Sequence, residues 1–177
     1  NGQNSILVYP GSNEQITDSQ IEETINSLDK GDLLVLQNEI SKLDKIIELA
    51  YQKNIKIAFN PSPIKENLKD LPLNKVDFFF INEVEGKALC GNDDPQKILT
   101  SMIKLYPHAT IVLTLGENGS VASYGNEQFE QKAFTVDHVV DTVGAGDTFM
   151  GYYLATYAKG SSISDCLKTA TAASALS

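Results

Sequence analysis

The chain has 177 residues, 42% hydrophobic and 21% charged, a length that suits one compact domain and a balance too apolar for a disordered one. Its net charge of −9 argues against unselective nucleic-acid binding, which needs a basic surface. All 14 basic residues are lysines, so a bound anion must meet backbone N–H groups, lysine or a metal rather than a guanidinium fork.

Apolar runs alternate with helix-period segments along the chain. Residues 5–9 read as a strand, turned out by Pro10-Gly11. Thr17 or Asp18 caps a helix whose Ile21, Ile25 and Leu28 share one face. Residues 33–37 form a continuous apolar strand, as expected when both faces of a parallel sheet are covered. A helix over 41–53 follows, then a strand over 55–59 stopped by Asn60-Pro61-Ser62-Pro63. Residues 77–81 are a fourth strand, leading through Asn82 into a short helix over 84–89. Gly91-Asn92-Asp93-Asp94-Pro95 starts another helix, and 110–115 is a fifth strand. Beyond it, 120–124 and 128–136 pattern as a hairpin, and helices begin at Gly144 and near Ser164.

Such repeated units predict an α/β fold, a three-layer αβα sandwich with a mostly parallel, Rossmann-like sheet in a single domain over 1–177. Function is then expected beyond the carboxyl ends of the strands. The polar strand exits are Gln37-Asn38-Glu39, Asn60, Asn82–Glu85, Thr114–Gly116 and Asp141–Asp147. Cys90 and Cys166 form no C-x-x-C pair and read as small buried hydrophobes in a reducing, cytoplasmic setting. No run approaches the roughly 18 apolar residues of a membrane span, and no signal peptide is legible, so no membrane partner is expected. His108 and His138 lack neighbouring metal ligands; Tyr152, Tyr153 and Tyr157 follow helical spacing and are expected to pack. Both ends read as cut into secondary structure, which predicts a partial domain.

Asp141-Thr142-Val143-Gly144-Ala145-Gly146-Asp147-Thr148-Phe149 is the most informative stretch. Glycines two apart at a helix start let backbone N–H groups converge on one point, where the helix dipole also favours an anion. No Gly-Lys-Ser/Thr follows, so this is not a Walker A loop, and Phe149 stands where a dinucleotide fingerprint needs glycine. Asp147 at that point would repel phosphate, which suits a base taking a proton from an attacking hydroxyl. A well-capped helix start, with Asp147 complementing the dipole, is the alternative on spacing alone.

The stretch resembles the D-T-x-G-A-G-D-x-F signature of the ribokinase (PfkB) family of carbohydrate kinases. Asn82-Glu83-Val84-Glu85 is similar to the family's N-x-x-E motif, Thr114-Leu115-Gly116-Glu117-Asn118-Gly119 to its T-L-G-x-x-G loop, and Asn60-Pro61-Ser62-Pro63 to its N-P-A-P segment. Tyr9–Asn13 and Gln37-Asn38-Glu39 resemble the family's ribose-specific branch. The resemblance implies a ribokinase-like fold and transfer of the γ-phosphoryl of ATP to the primary hydroxyl of D-ribose. It makes Asp147 the base, also touching the sugar, and the amides of Gly144, Ala145 and Gly146 the anion hole. It places Asn82 and Glu85 around Mg²⁺ through water, Thr114, Gly116 and Gly119 at the nucleotide, and Glu39 on sugar hydroxyls. Asp141 with the Val143 carbonyl would hold a monovalent cation such as K⁺.

The family's early strands and lid, its main sugar-binding residues and the end of its adenine wall have no counterpart here. The resemblance therefore predicts a largely inactive isolated chain, and a homodimer formed through the lid in the longer protein. Fructose-type sugars or nucleosides as acceptors, and a non-catalytic nucleotide-binding module, remain the alternatives.

Overall fold

The structure, a computed structural model, describes residues 9–135 and 143–177. Six strands form one sheet in sequence order: β1 (Leu33–Gln37), β2 (Lys56–Asn60), β3 (Phe78–Asn82), β4 (Thr110–Thr114), β5 (Ser120–Tyr124) and β6 (Glu127–Gln131). The first four run parallel and the last two add as an antiparallel hairpin. The helices are α1 (Asp18–Ser27), α2 (Leu43–Gln52), α3 (Glu83–Cys90), α4 (Pro95–Leu105), α5 (Ala145–Ala158) and α6 (Ile163–Ser174).

Strand order that always advances in one direction, with right-handed crossovers, sends every connection over the same face of the sheet. The two cores follow from this. One joins α1 to α4 to Leu36, Ile57, Phe59, Phe79, Ile81, Ile111 and Leu113. The other joins α5 and α6 to Ala58, Phe78, Phe80, Val112 and Ala122. Alternation along β3 explains how three consecutive phenylalanines serve both: Phe79 faces one core, Phe78 and Phe80 the other. The predicted three-layer α/β sandwich is present, and its mostly parallel sheet ends in an antiparallel hairpin.

Local signals set the helix starts. Thr17 and Gln20 form a reciprocal capping box on α1, Asp94 caps α4 with Pro95 in its first turn, and Ser162 caps α6. Strand boundaries lie within a residue or two of expectation, except that β6 ends at Gln131 rather than 136. Of the strand expected over 5–9, only Tyr9 lies within the described residues, and it has no regular structure.

Two expectations need correction. β1 is not covered on both faces: Val35 is 47% exposed, because β1 is the edge strand of the described sheet and α5 does not close over it. Of the three tyrosines on α5, Tyr153 is buried and Tyr157 packs edge-on to Phe78, but Tyr152 is exposed.

Tyr153 is fully buried between Phe80 and Phe149, and its hydroxyl has no hydrogen-bond partner among the described residues. Burial pushes its phenol well above the ordinary value. A stranded hydroxyl costs stability that a phenyl ring of the same shape does not, so Tyr153→Phe is expected to stabilise the chain by about 1 kcal/mol in urea unfolding. A loss of stability instead would mean that the hydroxyl is hydrogen-bonded in solution.

Candidate active site

The parallel register brings the strand exits to one end of the sheet. Gln37 pairs with Asn60 across β1 and β2, and Asn82 pairs with Thr114 across β3 and β4. The amino terminus of α5 meets this end beside β1. An open cleft of about 400 Å³ there is lined by Val35, Leu36, Gln37, Glu39, Ile40, Asp147 and Met150. Asp147 and Glu39, far apart in sequence, thus share one cleft.

Gly144 is the N-cap of α5, at φ +81°, a left-handed conformation that favours glycine. It brings no side chain to bond the helix's first amides, and the first helical hydrogen bond runs from Thr148 N to Gly144 O at 2.8 Å. The amides of Ala145, Gly146 and Asp147 lie ahead of that bond and have no intrahelical acceptor. A Cβ added at Gly146 would meet no atom within 4 Å, so the protein's own packing does not demand glycine there. Asp147 is exposed in the first turn, and its Oδ1 accepts a hydrogen bond from Gln37 Nε2 at 2.5 Å.

Asn82 and Glu85 form a second cluster. Asn82 is the N-cap of α3 and Glu85 its third residue: Asn82 Oδ1 accepts from Glu85 N, and Glu85 Oε2 accepts from Asn82 N, each at 2.9 Å. The N-x-x-E spacing is therefore a capping box as well as a candidate ligand pair. Asn82 is exposed while Glu85 is buried, 6% exposed. Burial pushes the Glu85 carboxyl up, opposed by hydrogen bonds from the Asn82 amide and the Ser62 hydroxyl.

The segment Asn60–Pro63 connects the two clusters. Asn38, buried at the exit of β1, donates its amide N–H to Ser62 O at 2.9 Å and its Nδ2 to Pro63 O at 2.8 Å. Ser62 in turn reaches Glu85.

Thr114 ends β4, with its hydroxyl 3.4 Å from Ile81 O, and Gly116 turns the chain at φ +54° with open space around it. Gly119, at φ +93°, is different. A Cβ there would fall 2.1 Å from Gln131 O and 2.6 Å from Ala133 N, so the hairpin itself demands this glycine. Val143 is exposed just before α5, whereas Asp141 and His138 lie outside the described residues.

The donors suit a magnesium ion held through its waters. Both Asn82 Oδ1 and Glu85 Oε2 already accept amide hydrogen bonds, and remaining carboxylate lone pairs can accept from metal-bound water. Among the described residues, no group of three or more His, Cys, Asp and Glu side chains is placed to chelate a metal directly, and no helix is long and apolar enough to cross a membrane.

The sequence marks Gln37 as part of a strand exit and of the Gln37-Asn38-Glu39 match, without assigning its side chain a partner. Its contact with Asp147 spans 110 positions and leaves no trace in local spacing.

This architecture, with an open helix start beside the carboxyl end of a mostly parallel sheet, is a ribokinase-like α/β fold. The ribokinase of Cryptococcus neoformans in complex with ADP superposes with a TM-score of 0.83 at 26% identity, covering 98% of this chain and 61% of that one. The Arabidopsis thaliana ribokinase complexed with ribose and ATP gives a TM-score of 0.79 at 27% identity, over 98% and 58%. The sequence matches the pfkB family carbohydrate kinases over residues 1–177, and the chain belongs to that family. It is 31% identical to the ribokinase of Bacillus subtilis, over 99% of its own length and 58% of that protein's. It is likewise 31% identical to the deoxyribokinase of Salmonella typhi, over 100% and 60%. The chain thus spans about three-fifths of the length of these two relatives.

Proposed function

We propose that the chain supplies the nucleotide-binding and base-bearing part of an ATP-dependent sugar kinase whose acceptor is the primary hydroxyl of D-ribose. The observation that carries this reading is the shared cleft, lined by Asp147 at the open amino terminus of α5, held there by Gln37, and by Glu39 from the exit of β1. Asp147 takes the proton of the sugar hydroxyl as that oxygen bonds to the γ-phosphorus and the bond to the bridging oxygen of ADP breaks. The amides of Gly144, Ala145 and Gly146 stabilise the charge on the transferring group; the space beyond Gly146 leaves room for it.

Glu39 accepts hydrogen bonds from sugar hydroxyls, and Thr114 and Gly116 border the nucleotide. Asn82 and Glu85 would orient the waters of a magnesium ion, which when bound screens the phosphate oxygens. Val143, through its carbonyl, and Asp141 are the proposed partners of a monovalent cation. The resemblance implies a lid supplied from outside this chain, so the chain alone is expected to turn over ribose very slowly.

Ribose is favoured by the match of Gln37-Asn38-Glu39 and by the ribokinase relatives; the deoxyribokinase match makes 2-deoxyribose the closest competitor. The whole protein should therefore be assayed with ribose, 2-deoxyribose, fructose and adenosine under the same MgATP concentration. The highest kcat/KM is expected for ribose, and a preference of tenfold or so for another acceptor would reassign the substrate.

A further inference from the structure

We infer that Gln37 is a positioning residue for Asp147, holding one carboxylate oxygen so that the other is left to receive the proton of the acceptor. The inference rests on the proposed role of Asp147 as the base. Gln37 ends β1, and its backbone is fixed by the parallel register that pairs it with Asn60. Alternation along the strand sets its direction. Leu34 and Leu36 pack into the core of α1 to α4, while Leu33 packs against the core of α5 and α6, so Gln37 points to the side of α5. A slip of one residue would turn it away.

The physical need is clear. An exposed aspartate in the first turn of a helix samples several rotamers and is attracted to the free amides of its own helix. Bonding there would occupy the amides that are to receive the phosphoryl group and withdraw the carboxylate from the sugar. The 2.5 Å bond from Gln37 Nε2 to Oδ1 holds the side chain across the cleft instead. A carboxylate oxygen accepts more than one hydrogen bond, and the second oxygen remains for the hydroxyl.

The donor is also of the right kind. The residues lining the cleft include no lysine, and Glu39 is the only charged one besides Asp147. A lysine at the same place would form an ion pair and make the carboxylate a weaker base; a neutral amide orients it with less loss of basicity. Gln37 itself exchanges no proton.

A double-mutant cycle in the whole kinase tests this, using Gln37→Met, which keeps the length of the side chain and removes the donor. Hydrogen bonds to charged groups of this type lead to an expected fall in kcat of about 10- to 100-fold, with KM for ATP and sugar within about twofold. In an Asp147→Ala background the same change should cost nothing further, because the group it acts through is gone. Equal loss in both backgrounds, or a raised KM at unchanged kcat, overturns the proposal.

A readout independent of turnover uses the 177-residue chain. The side-chain carboxyl ¹³C resonance of Asp147 should move in Gln37→Met, and an unmoved resonance overturns the contact. If Gln37→Met does not fold, Gln37→Leu replaces it, which also removes the donor and adds no charge beside Asp147. The two readings separate cleanly: an Asp147→Ala protein with full activity removes the base and Gln37's role together. An inactive Asp147→Ala beside a fully active Gln37→Met removes only the latter.

Discussion

On the proposed reading of Asp147 as the base, replacing it by alanine in the whole protein is expected to lower kcat by about three orders of magnitude, the scale of a lost general base. The ground for so large an effect is that little else in the cleft can take the proton. Of the lining residues only Glu39 is also a carboxylate, and it extends from the β1 exit rather than from the helix start where the anion would sit. Nucleotide affinity should change little, or rise slightly, because Asp147 stands at the open amino terminus of α5 and repels phosphate. Titration with a non-hydrolysable ATP analogue and magnesium, run beside the kinetics, separates the two quantities. Loss of turnover with retained binding is the kinase result. Turnover that survives Asp147→Ala would assign the base elsewhere, and binding without any turnover in either protein would favour a nucleotide-binding module.

The second large effect concerns stability. Gly119→Ala should destabilise the chain by about 3 kcal/mol or more. One part is conformational: a φ of +93° with ψ −134° suits glycine and strains any L side chain, at about 1–3 kcal/mol. The other part is steric. The new methyl group would lie 2.1 Å from Gln131 O, 2.6 Å from Ala133 N and 2.8 Å from the Lys132 carbonyl carbon. These are backbone atoms, so no rotamer change relieves the clash, and β6 must shift against β5, where Ser120 pairs with Gln131. Gly125→Ala is the control: its φ is also positive, +58°, but a Cβ there meets nothing within 4 Å, and only about 1 kcal/mol should be lost. Urea unfolding of both variants decides the matter. Equal small losses would mean that the hairpin yields, leaving the glycine to a ligand rather than to the fold.

The comparison of Gly119 with Gly146 shows how sequence and structure divide the explanation. Both glycines stand in motifs that resemble the family's nucleotide and anion loops, and from spacing alone they have equal claims on a ligand. Packing separates them: the hairpin backbone demands Gly119, whereas nothing in the described protein demands Gly146. The same holds for Asn82 and Glu85. The resemblance implied a ligand pair at a helix start, and the structure makes the two residues a capping box with one member buried.

Much of the fold was legible because it depends on local periodicity. Alternating apolar runs and helical stripes marked the strands, signals such as Thr17 and Asp94-Pro95 marked helix starts, and the order of units implied the parallel sheet. The GAGD start of α5 and its candidate base were legible for the same reason, since backbone conformation and helix polarity there follow from adjacent residues. Whether a helix covers β1, which tyrosine of α5 loses its hydrogen-bond partner, and which distant side chain holds Asp147 are different questions. They depend on contacts between segments more than 100 residues apart, as between Gln37 and Asp147, and no local pattern encodes which surfaces meet. Local pattern thus accounts for most of the elements and for the chemical character of the helix start, whereas side-chain partners follow from how whole elements pack, which no local stretch encodes.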